Sequence, residues 1–244
     1  MSIAFFDVDG TLLPPSLERR FFWNLFRGGK IPAGNCFHWT AEMFRLGAAG
    51  LAKAVQSNKM YLRGVSTRVI SEMESQEIRH WVPQFFPAAI QRIWWHALRG
   101  DTIVLVTGTL APLGEIVKSA LERELLWRGV EAQIPIIGTR LTERDGCWTG
   151  CILGVAMLGA AKAAAIRQFA SSSGVPLPQC FAYGDHALDG PMLEAVGNPF
   201  AVNPTSRLRR IARHNGWPVM LWSPCPRRTA TMRHALKWKG EAAR

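Results

Sequence analysis

The apolar run Ile3-Ala4-Phe5-Phe6 stops abruptly at Asp7-Val8-Asp9-Gly10-Thr11-Leu12, two acidic residues and a tight Gly-Thr turn. A run without polar alternation reads as a strand covered on both faces, which calls for a parallel sheet with helices above and below it. Such a strand delivers Asp7 to its carboxyl end. Two later runs repeat the pattern, 102–107 before Gly108 and 180–183 before Gly184. Helical stripes lie between them. Pro87 opens one that carries Ile90, Ile93, Trp94, Ala97 and Leu98 and ends at Gly100. Leu113, Ile116, Val117, Ala120, Leu121 and Leu125 form the next. Strands near 134–137 and 200–202 and helices near 160–170 and 188–196 continue the alternation, so the fold class is α/β.

From about Pro14 to Phe86 this rhythm fails. Phe21, Phe22, Leu25 and Phe26, then Met43, Phe44, Leu51 and Val55, fall at helical spacing with no strand-like run among them. A helical insert is expected here, directly after the acidic pair, where a lid can close over chemistry. The segment 140–149 reads as two short strands around Asp145-Gly146.

Composition narrows the class. With 48% apolar and 19% charged residues in 244, global disorder, collagen and coiled coil are excluded. The uncharged stretch 147–161 is interrupted by glycines and shorter than the roughly 18–20 apolar residues that span a bilayer. Asp7 and Asp9 occupy the place of a signal peptide's apolar run, and five irregularly spaced cysteines suit a reducing compartment. Cys147 and Cys151 lack a nearby His or Cys pair to complete a zinc site and read as small strand residues. A cytoplasmic protein, peripheral to a membrane at most, is expected.

The formal net charge of +11 favours anionic partners. Most of it lies beyond Thr205, where ten basic residues face Glu241 alone.

Two carboxylates beyond the end of a buried strand can address one point above the sheet, in the crevice where open parallel sheets bind ligands. Three further signals follow in order. Thr107-Gly108-Thr109 ends the second run ahead of a helix, so a hydroxyl and backbone N–H groups can hold an anion. Lys162 lies near the start of an alanine-rich helix, and Gly184-Asp185-x-x-x-Asp189 adds two carboxylates that need a cation beside them. Singly, Thr107 is a helix cap and Lys162 a solvated residue. Together they supply a carboxylate nucleophile, a proton donor, phosphate-holding groups and a magnesium site.

In this order the residues resemble the motifs of the haloacid dehalogenase (HAD) superfamily of phosphohydrolases: D-x-D-G-T, a threonine ending the second strand, a lysine, and G-D-x-x-x-D. The helical insert makes the chain most similar to the branch related to phosphoserine phosphatases. The resemblance covers roughly residues 1–222. It implies a Rossmannoid three-layer core with a parallel sheet, built from 1–14 and 87–222, an α-helical cap over 15–86, and a basic extension over 223–244.

The resemblance also implies roles. Asp7 would be the nucleophile that forms an aspartyl-phosphate, and Asp9 the general acid and then base. Thr107, Gly108 and Lys162 would hold the transferred phosphoryl group. Mg²⁺ would be bound by Asp7, the backbone carbonyl of Asp9, and Asp185, while Asp189 would orient Lys162 or a metal-bound water.

One departure bears on substrate. Phosphoserine phosphatases carry a glutamate nine positions after the nucleophile, which recognises the amino group. That position is Ser16 here, and Glu18 is out of register. Phosphoserine is disfavoured, and a small or amphipathic organic phosphate, including a lipid-like one, is expected. His186 stands where the family has a small residue and reads as outward-pointing. The uncharged run 148–161 leads into Lys162 as core packing or as an apolar wall beside the phosphate site.

Two other readings stay open at this point. A mutase or phosphotransferase would pass the same aspartyl-phosphate to an alcohol. A nucleic-acid or membrane-surface binding protein would use the basic C-terminus, with Trp217, Trp222 and Trp238 stacking on bases or lying at a lipid interface. No specific protein partner is expected.

Overall fold

The computed structural model describes residues 2–14, 16–46, 58–76 and 84–224. The helical signal at Leu51 and Val55 and the basic residues from Arg227 onward lie outside these ranges, as does Trp238.

The chain begins with strand β1 (Ile3–Phe6), followed by helices α1 (Leu17–Arg27) and α2 (Asn35–Leu46), a 3-10 turn (Met60–Leu62) and α3 (Val69–Gln76). Next come α4 (Pro87–Leu98), β2 (Thr102–Leu110) and α5 (Ala111–Trp127). Strand β3 (Ile136–Thr139) then leads to β4 (Leu141–Arg144) and β5 (Cys147–Ile152). The last part holds α6 (Ala160–Ser172), β6 (Phe181–Gly184), α7 (Gly190–Glu194), β7 (Asn198–Val202), α8 (Ser206–His214) and β8 (Val219–Met220). Six strands form one sheet in the order β3-β2-β1-β6-β7-β8, all parallel.

Strand periodicity divides the interior into two layers. Ala4 and Phe6 of β1, with Ile103 and Leu105 of β2, meet Ile90 and Ile93 of α4 and Leu113, Val117 and Leu121 of α5. Ile3 and Phe5, with Val104 and Val106, face the other way, toward Ile166 of α6, Met192 and Leu193 of α7, and Leu208 and Ala212 of α8. The sheet is thus covered on both faces, the middle of three layers, and β1 is central and wholly buried as its unbroken apolar run requires.

The insert is helical, and its inner face joins the first layer through Leu17, Phe21, Leu25 and Leu62. The β4–β5 hairpin turns at Asp145 and Gly146, both at positive φ (52° and 72°), the geometry that a tight two-residue hairpin demands. It reaches back to the insert: Gly64 N donates to the Trp148 carbonyl, Trp148 N to that of Val65, and Thr67 N to that of Gly146. Trp148 itself is core, edge-on to Phe21. Trp222 is also buried and stacks near Tyr183, so it is not a free surface for bases or lipid.

Beneath the sheet lies a buried polar cluster. His96 Nδ1 donates to Asp101 Oδ2 (2.9 Å) and its Nε2 accepts from the Tyr183 hydroxyl (2.9 Å), a tautomer set by the acceptor-only carboxylate. The Ser2 hydroxyl donates to Asp101 Oδ1 at 2.6 Å. Burial holds His96 neutral, its pKa lowered to about 4. Burial works to raise Asp101, but bonds from Ser2, His96 and Arg99 outweigh it and bring it down to about 2.

Candidate active site

All the site residues singled out in the sequence gather at the carboxyl edge of β1, β2 and β6 and at the start of α6. Asp7 follows β1 directly, and Thr11 Oγ1 donates to its Oδ2 at 3.1 Å. Lys162, in the first turn of α6 and only 2% exposed, donates to Asp7 Oδ1 (2.5 Å) and Asp189 Oδ1 (2.6 Å). Asp189 is fixed in turn by the His186 amide, which donates to its Oδ2 at 2.9 Å.

Glycine makes the approach of these groups possible. Gly10 has φ +85°, and a Cβ there would lie 2.3 Å from Asp185 Oδ2. At Gly184 a Cβ would meet that of Asp189 at 2.6 Å. The D-x-D-G and G-D spacings therefore reflect close packing of the two acidic loops as well as turn geometry.

Carboxylate oxygens of Asp7, Asp185 and Asp189 lie within 4.8 Å of one another. Desolvation raises Asp7, against the pull of Lys162 and with further push from Asp189. Asp185 is raised by desolvation and then by Asp7 and Asp189, and among the described residues it has no ion pair. Lys162 runs the other way: burial opposes its charge, but Asp189 and Asp7 overcome that and lift its pKa, so it stays protonated. An all-oxygen cluster in which burial disfavours the ionised forms of Asp7 and Asp185 is suited to a hard divalent cation such as Mg²⁺.

Asp9 is turned toward the insert. The Thr109 hydroxyl donates to its Oδ2 (2.6 Å) and the Leu17 amide to its Oδ1 (2.6 Å). Desolvation raises its pKa, and these two bonds partly oppose the rise. Thr109, beside the phosphate-holding pair expected at Thr107 and Gly108, is thus a site residue that sequence spacing alone does not single out.

The same segment differs from expectation in a second way. β2 continues through an irregularity to Leu110, and α5 starts only at Ala111, so Thr107 and Gly108 sit on the end of a strand and not on the opening of a helix. Leu110 is as apolar as the run before it, so the strand has no reason to stop at Gly108. The Thr109 amide is already donated to Thr107 Oγ1 at 3.1 Å. A Cβ at Gly108 would meet Leu158 Cδ2 at 2.5 Å, so a side chain there would displace Leu158. His186 lines the site but caps the following turn: its Nδ1 accepts from Leu188 N at 3.2 Å.

These residues form the floor of a cavity of about 1100 Å³ that extends under the inserted helices. Phe22, Phe26, Ile31 and Trp39 line its far side, and Leu158 is the part of the 148–161 run that reaches it. Phe22 and Phe26 belong to the helical stripe of the insert, but no periodicity links them to Ile31 and Trp39.

The chain belongs to the haloacid dehalogenase-like hydrolases: the family model matches residues 4–194, which include every site residue above. Two curated relatives are similar over most of its length. The inhibition of morphological differentiation protein of Streptomyces azureus is 33% identical, over 89% of this chain and 77% of its own. A probable phosphatase of Mycobacterium tuberculosis is 31% identical, over 90% and 75%. Among solved structures, a protein of unknown function from Bordetella pertussis Tohama I superposes with a TM-score of 0.67 at 27% identity, covering 90% of this chain and 97% of that one. A phosphoserine phosphatase carrying an analogue of its phospho-aspartyl intermediate shares the fold, with a TM-score of 0.57 at 20% identity over 97% and 98% of the two chains. Among the described residues no helix is long and apolar enough to cross a membrane.

Proposed function

We propose that this phosphatase hydrolyses phosphomonoesters of a small or amphipathic organic alcohol with Mg²⁺, through an aspartyl-phosphate on Asp7. The observation that carries the reading is the Lys162 ammonium buried between Asp7 and Asp189, with the Asp185 carboxylate beside them and a cavity open above. We take 1–14 with 87–222 as the catalytic core, 15–86 as its cap and 223–244 as a basic extension able to meet anionic surfaces.

In this mechanism a carboxylate oxygen of Asp7 attacks phosphorus, and the bond to the ester oxygen breaks as Asp9 gives that oxygen a proton. Burial favours the protonated form of Asp9 that the first step needs. Water then attacks the phosphorus of the aspartyl-phosphate, Asp9 takes its proton, and phosphate leaves with Asp7 restored. Lys162, Thr107 and the Gly108 backbone hold the phosphoryl oxygens, and Asp189 keeps Lys162 charged and aimed. Mg²⁺, held by Asp7, Asp185 and the backbone carbonyl of Asp9, would neutralise charge on the phosphoryl group.

Steady-state release of phosphate by wild type and Asp7→Asn, with and without Mg²⁺, tests this. Asp7→Asn should abolish turnover, because an amide cannot form the acyl phosphate. Near wild-type activity in Asp7→Asn, or full activity in excess chelator, would overturn the reading.

A further inference from the structure

The two ends of the cavity differ in chemistry. Near Asp7 it is polar and charged. Under the inserted helices it is walled by Phe22 and Phe26 of α1, by Ile31 and Pro32 in the loop that follows, and by Trp39 of α2.

Polar groups do line this far end, but its charged and amide groups Glu18, Lys59, Asn35 and Asn58 are engaged within the protein. Lys59 Nζ, 2% exposed, donates to both oxygens of Glu18 (2.5 and 2.7 Å), and the Tyr61 hydroxyl donates to Glu18 Oε1 at 2.8 Å. Asn35 Nδ2 donates to the carbonyls of Tyr61 and Arg63 (2.9 and 2.7 Å), and Asn58 Nδ2 to that of Trp39 (2.7 Å). A substrate ammonium would need the Glu18 carboxylate, which Lys59 already neutralises. A substrate carboxylate would need Lys59, which Glu18 already holds. To engage either, a ligand must break a buried ion pair and leave its other half unpaired, which is costly. Arg19 also lines this end, but its side chain is exposed, where a charge contact contributes little.

Resting on the phosphomonoesterase reading above, we infer that the leaving group is apolar: the substrate is the phosphate ester of a hydrophobic alcohol whose alkyl or aryl part lies against Phe22, Phe26, Ile31 and Trp39, and not a phosphorylated amino acid. The bond that breaks is still phosphorus to ester oxygen, and the alcohol departs with the Asp9 proton. The apolar wall acts on binding of the ester. Burying one methylene is worth about 0.8 kcal/mol, or about fourfold in kcat/KM when the whole increment is realised.

The test uses the full chain with Mg²⁺ and measures phosphate release below micellar concentrations. Its substrates are monoalkyl phosphates from ethyl to octyl, 1-naphthyl phosphate and O-phospho-L-serine. Between butyl and octyl, kcat/KM should rise about two- to fourfold per methylene, and octyl phosphate should exceed phosphoserine at least tenfold. Phe26→Ser and Ile31→Ser should each lower the octyl-to-ethyl ratio several-fold. Phe26 is 56% exposed, so its replacement is compatible with the fold. An octyl ester that outpaces naphthyl, whose aryl oxide is the better leaving group, assigns a chain to the wall. A flat series, a preference for phosphoserine, or ratios unmoved in both variants would overturn the apolar leaving group while the phosphatase reading stands. Release from no ester at all would overturn that reading and this inference with it.

Discussion

The Thr109 hydroxyl holds the Asp9 carboxylate at 2.6 Å, across the gap between the ends of β2 and β1. Asp9 lies beyond the end of β1, just before the turn at Gly10, so its carboxylate is oriented by this bond and by the Leu17 amide. The second bond ties it to the first turn of α1, and the proposed proton donor is thereby coupled to the insert above it.

Thr109→Val should therefore lower kcat by on the order of ten- to a hundredfold, the range set by losing one hydrogen bond to a charged group. KM should change little, because Thr109 acts through Asp9 and is a positioning residue. Thr109→Ser restores the hydroxyl and should recover most of the rate. An unchanged kcat in Thr109→Val, measured under saturating substrate, would show that the bond serves packing alone.

Gly10→Ala tests the close approach of the two acidic loops. Its Cβ would lie 2.3 Å from Asp185 Oδ2, and φ is +85°. Asp185 must move, so kcat/KM should fall at least tenfold and the Mg²⁺ concentration for half-maximal rate should rise. Gly154→Ala separates this from backbone strain. It has a similar φ of +77° with nothing within 4 Å, so it should incur the about 1–2 kcal/mol of a left-handed residue and keep its activity.

What could be read ahead of the structure is what local pattern encodes. Asp7, Lys162, Asp185 and Asp189 were legible because each lies within a few residues of a strand end or helix start that apolar periodicity marks. Five strands of the parallel sheet were legible for the same reason, while the two-residue β8 (Val219–Met220) is too short to leave a pattern. The end of β2 was not, because Gly108 reads as a stop while Leu110 beyond it is still buried strand. Nor was the cap wall: Lys59 and Tyr61 meet Glu18 across 41 and 43 residues, and no periodicity announces such a pairing. Thr109 lay in plain view but was eclipsed by Thr107, since nothing in the spacing says which hydroxyl turns toward Asp9.

The acidic cluster predicts a metal effect that needs no substrate. Asp7 and Asp185 are both raised above their unfolded values, chiefly by burial. A carboxyl with a raised folded-state pKa binds protons more tightly when folded. Its unfavourable term is therefore absent at low pH and grows as pH rises above the ordinary carboxylate range. A bound divalent cation removes that term. The rise in Tm on adding Mg²⁺ should accordingly be larger at pH 8 than at pH 5.5, and Asp185→Asn should lose most of it. A rise that does not depend on pH, or that survives in Asp185→Asn, would mean that the cation binds elsewhere.

His96, on α4, makes the opposite contribution. Its folded-state pKa is lowered from 6.5 to about 4 by burial, so between those values the unfolded chain takes up a proton that the folded one refuses. Stability from this residue is full above about pH 7 and falls as pH drops toward 4, amounting to about 2 kcal/mol lost between pH 7 and 5. Asp101, lowered to about 2, adds a further loss only below its ordinary value of 3.8. His96→Gln removes the titration but keeps an amide able to donate to Asp101 and accept from Tyr183. The variant should be less stable at pH 7, yet its Tm should fall less than that of wild type between pH 7 and 5, by about 4–8 °C. Comparing the two proteins at each pH cancels the carboxylates of the active site, which titrate alike in both. Parallel Tm curves would show that His96 is protonated in the folded chain, and that its bond to Asp101 is an ion pair and not the neutral contact assigned to it.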